Sequence, residues 1–431
     1  YHYFLYAFMP MGAWETATGQ AMWSRSDFFR KLPSHWEYHR GKTPRSLGLA
    51  MPEILTGVYK DIDPDAAALA RWQVNNWGRS QYVLAHRLIL GDLRVTPKSP
   101  QELAMPTAKY IRGSDLFVST RTWDENALTV TALSQYLDTG RFEPGSGLFA
   151  IYRGNEPLAV PADPNKEHIT EGFYSGMWIY DPSNVGGTRF NNTTYQDNPR
   201  AYDAYTAVSD PIYFPGGPDN IVINNTYRGI STEYSKRLNA PGVRTARQTI
   251  VHILDPNRDF VVVYNYTDIP DNLRRAWSMR LAVTPTITGN RYSIPGMTTT
   301  IVAPVNQIFD WVGGSGNEFR SPSPQNEWYG NNKAGNTAGY SSSSADKVKR
   351  FGLGNLFVKP ADDTPDQVEF LAVMDVSTQT PIAVTRISDR EVRFGDWQVS
   401  FTPDGSFSVV NTGGSPPDTT APNPPSNFGA Q

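Results

Sequence analysis

Leu116-Phe117-Val118-Ser119-Thr120-Arg121-Thr122-Trp123-Asp124-Glu125-Asn126-Ala127 marks the point where the chain changes character. From here on, β-branched and aromatic runs alternate with turn residues. The runs are Leu116–Thr120, Ala127–Leu133, Leu148–Tyr152, Met177–Tyr180, Thr249–Leu254, Phe260–Tyr266, Thr298–Val302, Gln367–Val376 and Val392–Phe401. Asp255-Pro256-Asn257, Thr288-Gly289-Asn290 and Thr402-Pro403-Asp404-Gly405 punctuate them as turns. Many antiparallel strands at this spacing predict a large β-sandwich. Residues 321–348, rich in Ser, Asn and Gly, read as one long surface loop. No internal repeat is evident.

Upstream, residues 1–92 read as helical. Asp63-Pro64-Asp65 is a helix start: Asp caps free N–H groups, and Pro at the first helical position sacrifices no hydrogen bond. Leu69, Trp72 and Trp77 then recur on a helical period. A further helix is expected over Gln81 to Leu90, and earlier helices around Trp14–Leu32 and Leu47–Tyr59. This segment is too short to close a toroid of many helices, so it is expected to be the end of an incomplete α/α toroid. The chain opens in mid-pattern with Tyr3, Phe4, Leu5, Tyr6 and Phe8, which predicts residues upstream of Tyr1. Pro97, Pro100 and Pro106 mark residues 93–112 as a connector, the β-sandwich is expected over 113–410, and 411–431 reads as a Pro/Thr-rich extended linker toward a further module. The expected fold class is α+β multidomain: partial α/α-toroid helices followed by a large antiparallel β-sandwich.

At 431 residues the chain is long enough for two or three units. With 39% hydrophobic and 19% charged residues it is a globular sequence. Its 39 Lys+Arg against 42 Asp+Glu give a net charge of -3, so nothing electrostatic points to nucleic acid or an anionic membrane. No apolar run is long enough for membrane insertion. The absence of cysteine excludes disulfides, thiolate zinc sites and a cysteine nucleophile, and suits a secreted bacterial protein. The 22 Tyr, 20 Phe and 11 Trp suit both a sheet core, their ordinary use, and surfaces that stack on sugars.

The β segments resemble the heparinase II/III-type polysaccharide lyases. Leu116–Ala127 is similar to that family's opening strand, with its Arg-x-x-Trp-x-x-x-Ala pattern. Gly147-Leu148-Phe149-Ala150-Ile151-Tyr152-Arg153-Gly154, followed by Pro157-Leu158-Ala159, resembles its "Gly-Ser-Phe-x-Ile-Tyr-Arg-Gly … Leu-Ala" strand pair. Trp178-Ile179-Tyr180-Asp181-Pro182 resembles a strand ending "Val-Tyr-Asp-Pro". Phe260–Tyr264, Trp277, Pro285 and Phe370-Leu371-Ala372-Val373 follow in the same order. The Pro-rich tail resembles linkers that precede fibronectin type III-like modules in secreted bacterial enzymes.

What the resemblance implies is β-elimination at a uronic acid. Such a site must neutralise the sugar carboxylate, so that the anion formed on proton removal is tolerable, and place a base and an acid, Tyr or His, within reach. The family draws a His from a motif like His-x-His-x-Asp-x-Gly-Ser-Phe, and nearby residues sometimes hold a structural metal. Here that stretch is Arg141-Phe142-Glu143-Pro144-Gly145-Ser146-Gly147-Leu148-Phe149, so Arg141 and Glu143 replace the two His and Gly145 the Asp. Asn265, Arg280 and Ala372 stand where Asp, His and His are frequent, and Tyr174-Ser175-Gly176-Met177 replaces a His-Asn-Thr-like turn. No metal and no cofactor are therefore expected, and no divalent ion between Arg141 and Glu143.

Arg141 and Glu143 offer a bidentate clamp and an opposed acceptor for an acidic sugar, or an internal ion pair standing in for the metal. Tyr174 and Trp178 complete the substrate-binding candidates. For catalysis the candidates are His35, Tyr38 and His39, which share one helix face; the bland alternative is a polar helix end. His168 reads as a solvated loop residue. His252, in line with Ile250 and Leu254, reads as packing or cross-strand pairing. Trp14, Trp23, Trp178 and Trp328 are stacking platforms or core. The expected function is that of a secreted heparinase II/III-like protein, extracellular or at the cell surface, acting on or binding acidic polysaccharide, by β-elimination if active. The alternative is a catalytically inactive relative serving as a glycan-binding, structural or filament protein, with self-assembly through the C-terminal tail.

Overall fold

Asp63 starts a helix as its place before Pro64 predicts. In the computed structural model, which describes residues 11, 13–20, 22–23, 27–38, 50–77, 91–111, 116–134, 147–154, 156–160, 175–180, 218–235, 242–313 and 352–413, the Asp63 Oδ1 accepts the Ala66 N–H at 3.0 Å. Among the described residues, helices α1 (Asp27–Tyr38), α2 (Ala50–Tyr59) and α3 (Pro64–Trp77) follow one another along the chain. Both α1 and α2 pack on α3. Trp23, Leu32, Ile54, Leu55, Tyr59, Ala67 and Ala70 make their core, with Trp23 edge-on to Tyr59 at 6.4 Å. Pro33 removes an N–H from α1, and beside it Gln73 Nε2 donates to the Pro33 carbonyl at 2.6 Å.

The stretch Trp14–Leu32 is not continuous helix. Residues 13–18 are helical and stop at Gly19, whose φ of +67° sends its N–H back to the Glu15 carbonyl. Among the described residues no toroid is closed. The helix expected over Gln81–Leu90 lies outside the described residues, as does the loop expected over 321–348.

The chain divides into two units after Thr107. The last residues of the expected connector are already strand. β1 (Ala108–Ile111), β2 (Leu116–Thr120), β3 (Leu128–Leu133), β4 (Leu148–Arg153) and β5 (Glu156–Ala159) form a five-stranded meander. β6 (Gly176–Tyr180) belongs to a different sheet. β7 (Pro218–Ile223), β8 (Tyr227–Glu233), β9 (Thr245–Leu254) and β10 (Asp259–Asp268) begin an eight-stranded sheet. β11 (Arg274–Leu281) crosses to β6, and β12 (Thr286–Thr288), β13 (Arg291–Ile294) and β14 (Met297–Ala303) return to the large sheet. β15 (Gln307–Gly313) and β16 (Gly354–Pro360) complete a four-stranded sheet in the order β15-β16-β11-β6. β17 (Gln367–Val376) inserts between β14 and β10. β18 (Val384–Ser388), β19 (Glu391–Phe394), β20 (Trp397–Phe401) and β21 (Phe407–Asn411) form a second four-stranded sheet, a meander. Every pairing among these strands is antiparallel.

The eight-stranded sheet is covered on both faces. Val261 and Val263 of β10 join a core with Ile250, Phe370, Ala372, Phe117, Val130, Trp277 and Leu356. Phe260, Val262 and Tyr264 join another with Val251, Leu371, Val373, Val392, Trp397 and Phe401. Successive side chains point to opposite faces, so both faces of β10 must be apolar, and the run Phe260–Tyr264 carries no polar residue. The expected sandwich is thus enlarged to three layers: the five-stranded sheet and the first four-stranded sheet on one side, the last four strands on the other. The run expected as one strand over Val392–Phe401 is a hairpin. Its apolar phase slips from 392 and 394 to 397, 399 and 401, and Gly395, at φ +51°, makes the turn between Phe394 and Trp397.

Because the two cores share one sheet, truncation on either side should destabilise the second unit alike. Ile250→Ala and Leu371→Ala are each expected to cost about 2–5 kcal/mol in urea unfolding, and the exposed Ile387→Ala within about 0.5 kcal/mol of wild type. A large loss at only one of the two core positions would contradict the three-layer packing.

Candidate functional site

The second half of β11 alternates. Trp277, Met279 and Leu281 enter the main core, while Ser278 and Arg280 occupy the opposite face and are nonetheless fully buried. Arg280 Nη1 donates to Asn355 Oδ1 at 2.7 Å, and Asn355 Nδ2 donates to Ser278 Oγ at 2.9 Å. The ladder enforces this, since Arg280 pairs with Asn355 across β11 and β16. The Arg280 N–H donates to Ser175 Oγ at 3.1 Å, and its carbonyl accepts the Val160 N–H at 2.9 Å.

Glycines let neighbouring backbone close in on this residue. Gly352 has φ +73°, and a Cβ there would stand 2.8 Å from Arg280 Nε. A Cβ on Gly176 would stand 2.6 Å from the Gly147 carbonyl oxygen, and Gly147, at φ +72°, rests against the Tyr234 ring. Phe149 bridges to Ser175, its N–H donating to the Ser175 carbonyl at 3.2 Å.

Val160, Ser175 and Gly352 thus surround Arg280, and Gly147 meets Gly176 beside them. Each adjoins a segment outside the described residues: 135–146 before Gly147, 161–174 between Val160 and Ser175, and 314–351 before Gly352. Burial pulls the Arg280 guanidinium below its ordinary value, to about 9, so it is charged at neutral pH. Burial, then the charge of Glu233, pushes the Tyr234 phenol upward. The corner therefore holds a buried guanidinium beside the hydroxyl, amide and phenol groups named above.

Of the positions where the resemblance places metal ligands, Arg280 is itself a cation and Ala372 has no ligating atom. Asn265 is buried, with its Oδ1 accepting from Gln248 Nε2 at 3.1 Å. Among the described residues no group of three or more His, Cys, Asp or Glu is arranged to hold a metal.

Arg141, Glu143, Tyr174, His39, His168 and Trp328 lie outside the described residues. Trp178 lies in β6, where its backbone pairs with Ala276. His35 lies in α1. Tyr38 is buried, and its hydroxyl donates to the Pro106 carbonyl at 2.8 Å; burial and then Glu37 raise the phenol above its ordinary value. It ties α1 to the segment before β1 and turns inward, unlike a residue of a polar helix end. Trp23 is core and Trp14 half exposed. His252 is fully buried and reaches Ser119 Oγ at 2.8 Å. Sequence reasoning passed over Ser278, Gly352 and Asn355, and met Ser175 and Arg280 only as substitutions. The polar–apolar alternation of β11 was the signal available.

No family model matches the sequence, and no curated protein does. Among solved structures, the chain is similar to heparan sulfate lyase HepC from Pedobacter heparinus at 9% identity and a TM-score of 0.47, covering 86% of this chain and 48% of that one. It is also similar to a heparinase III at 9% identity and a TM-score of 0.48, covering 89% and 54%. A further heparinase III, the BT4657 gene product, gives 9% identity and a TM-score of 0.44, covering 73% and 43%. The chain spans about half the length of these structures.

Gly352 and Gly289 separate close approach from backbone strain. Both have positive φ, but nothing lies within 4 Å of a Cβ at Gly289. Gly289→Ala should cost about 1 kcal/mol, and Gly352→Ala about 1–3 kcal/mol more, in chemical denaturation. Equal costs would show that Gly352 does not press on Arg280.

Proposed function

We propose that this chain is part of a secreted, extracellular or cell-surface protein that binds acidic, uronate-containing polysaccharide. The observation that carries the reading is the buried cation Arg280 at the corner where Gly147, Val160, Ser175 and Gly352 meet. Positive charge at this corner favours an acidic ligand over a neutral sugar. The ordered resemblance of residues 116–127, 147–159, 178–182 and 260–264 to heparinase II/III-type lyases supports the same class of ligand. Arg141 and Glu143, close in sequence to Gly147, and Tyr174 and Trp178, on either side of Ser175, are the residues we assign to ligand contact.

If the protein is active, the reaction is β-elimination. A carboxylate held by guanidinium groups makes the adjacent C–H more acidic, a base removes that proton, and the glycosidic oxygen leaves with a proton from an acid. The replacement of the two motif His by Arg141 and Glu143 favours a second reading, a relative that holds glycan without cleaving it, or that serves in surface assembly.

The full chain mixed with alginate, heparin-type and pectin-type polymers separates the readings. Retention on at least one acidic polymer, weakened by salt and absent on a neutral glucan, is the expected outcome. Growth of ultraviolet absorbance from unsaturated uronates would add the lyase reaction, and retention without it leaves a binding protein. Arg141→Gln should weaken retention by about 1.5–3 kcal/mol, the worth of a hydrogen bond to a charged group. No retention on any acidic polymer would overturn the proposal and leave the structural reading.

A further inference from the structure

A second polar cluster is sealed where the five-stranded sheet meets the eight-stranded one. Ser119 of β2 and His252 of β9 stand 2.8 Å apart, Oγ to Nδ1, and neither is exposed. On the far side of the ring, Nε2 lies 3.5 Å from Asp259 Oδ1, a charge contact longer than a good hydrogen bond. Arg121 Nε donates to that same oxygen at 2.8 Å, and its Nη2 donates to the Asp255 and Arg258 carbonyls. Arg228 Nη1 donates to the Thr120 carbonyl at 2.6 Å and approaches Ser119 Oγ at 3.4 Å. The Ser, His and Asp are those of a hydrolytic triad, but the serine has no access to a substrate.

The charges around the ring decide what the cluster does. Two guanidiniums, Arg121 and Arg228, and one carboxylate, Asp259, are the charged groups that act on the imidazole. The neighbouring charges are engaged elsewhere. Asp255 accepts from Trp397 Nε1 and from the Asn257 N–H, both at 2.9 Å, and Arg258 pairs with Asp375 at 2.9 Å. A neutral ring fits: Nδ1 accepts the Ser119 hydroxyl proton while Nε2–H faces Asp259. A protonated ring would donate at both nitrogens. Ser119 would then have to turn its own proton away, although its oxygen already faces Arg228. A buried positive charge would also be added beside two guanidiniums.

We propose that Ser119, His252, Asp259, Arg121 and Arg228 form an acid-released latch between the two sheets. Burial is the largest influence holding the imidazole below its ordinary value; the Asp259 contact opposes it, and Arg228 and Arg121 add to it. A histidine depressed in the folded state keeps its full contribution above the unfolded value near pH 6.5, and loses it as pH falls toward the folded value. Opening of the joint therefore rises by up to about tenfold per pH unit for one proton. β4, which begins beside Gly147, belongs to the sheet that is released. The latch stands whether or not polysaccharide is the ligand.

The test uses the full chain, with its six histidines carrying carbon-13 in the imidazole ring, and amide hydrogen exchange corrected for the intrinsic rate. Protection of peptides covering β2 and β9 should fall up to about tenfold per pH unit below pH 6.5, while β20 holds. The His252 resonance should titrate below the ordinary value and in the same transition. His252→Gln, which can still accept from Ser119 and donate toward Asp259, should abolish the pH dependence at β2 and β9. An unchanged pH dependence in H252Q would overturn the latch. If H252Q does not fold, the wild-type titration decides alone: a ring that protonates while β2 and β9 stay protected, or a loss of protection spread evenly over all strands, overturns it.

Discussion

Burial of the eight-stranded sheet on both faces is the constraint on which the second unit depends. β10 and β17 pair along their full length, with apolar side chains directed into two separate cores. A sheet covered on both faces cannot slip in register by one residue without exchanging every side chain between the cores. Aromatic contacts reinforce the outer core: Tyr264 stacks on Phe401 at 4.9 Å, and Phe260 tilts against Phe394 at 4.9 Å. Buried ties of a different kind hold the sheets on the other side. Arg153 donates to the Val376 carbonyl at 2.6 Å, and Arg228 and His252 engage residues of β2.

The corner at Arg280 follows from that packing. β11 leaves the end of β10, crosses to the four-stranded sheet and lays one face against the main core. Its other face then has to be polar and satisfied, because it is also buried. Arg280 donates to Asn355 and Asn355 to Ser278, while Ser175 and Val160 meet the Arg280 backbone. Removing any one of these groups would leave a buried polar atom without its partner, which costs more than the bond itself contributes. The site is thus held by the same accounting that holds the core, and it places one permanent charge where three chain segments converge.

Local signals were legible in the sequence. Asp63-Pro64 located α3, the turns Asp255-Pro256-Asn257, Thr288-Gly289-Asn290 and Thr402-Pro403-Asp404-Gly405 separate strands as read, and β2, β3, β4, β10 and β17 fall where the runs placed them. The short strands were not legible: β12 has three residues, all exposed, and β5 begins on exposed Glu156, so neither carries an apolar alternation. The third layer was hidden because a run such as Phe260–Tyr264 looks the same whether one face or both are covered. The Arg280 corner was hidden for a related reason. It is assembled from Val160, Ser175, Arg280 and Gly352, which are scattered along the sequence, and only pairing across β11 and β16 brings Arg280 to Asn355. The burial of Tyr38 was hidden because a helical face of polar residues does not reveal that one of them turns inward.

The most direct test of the account is a crystal structure of the full chain with a short uronic-acid oligosaccharide. A sugar carboxylate held by Arg141, with Tyr174 or Trp178 against the sugar, is the result expected. Electron density for the oligosaccharide away from Arg141, Glu143, Tyr174 and Trp178 would contradict the account.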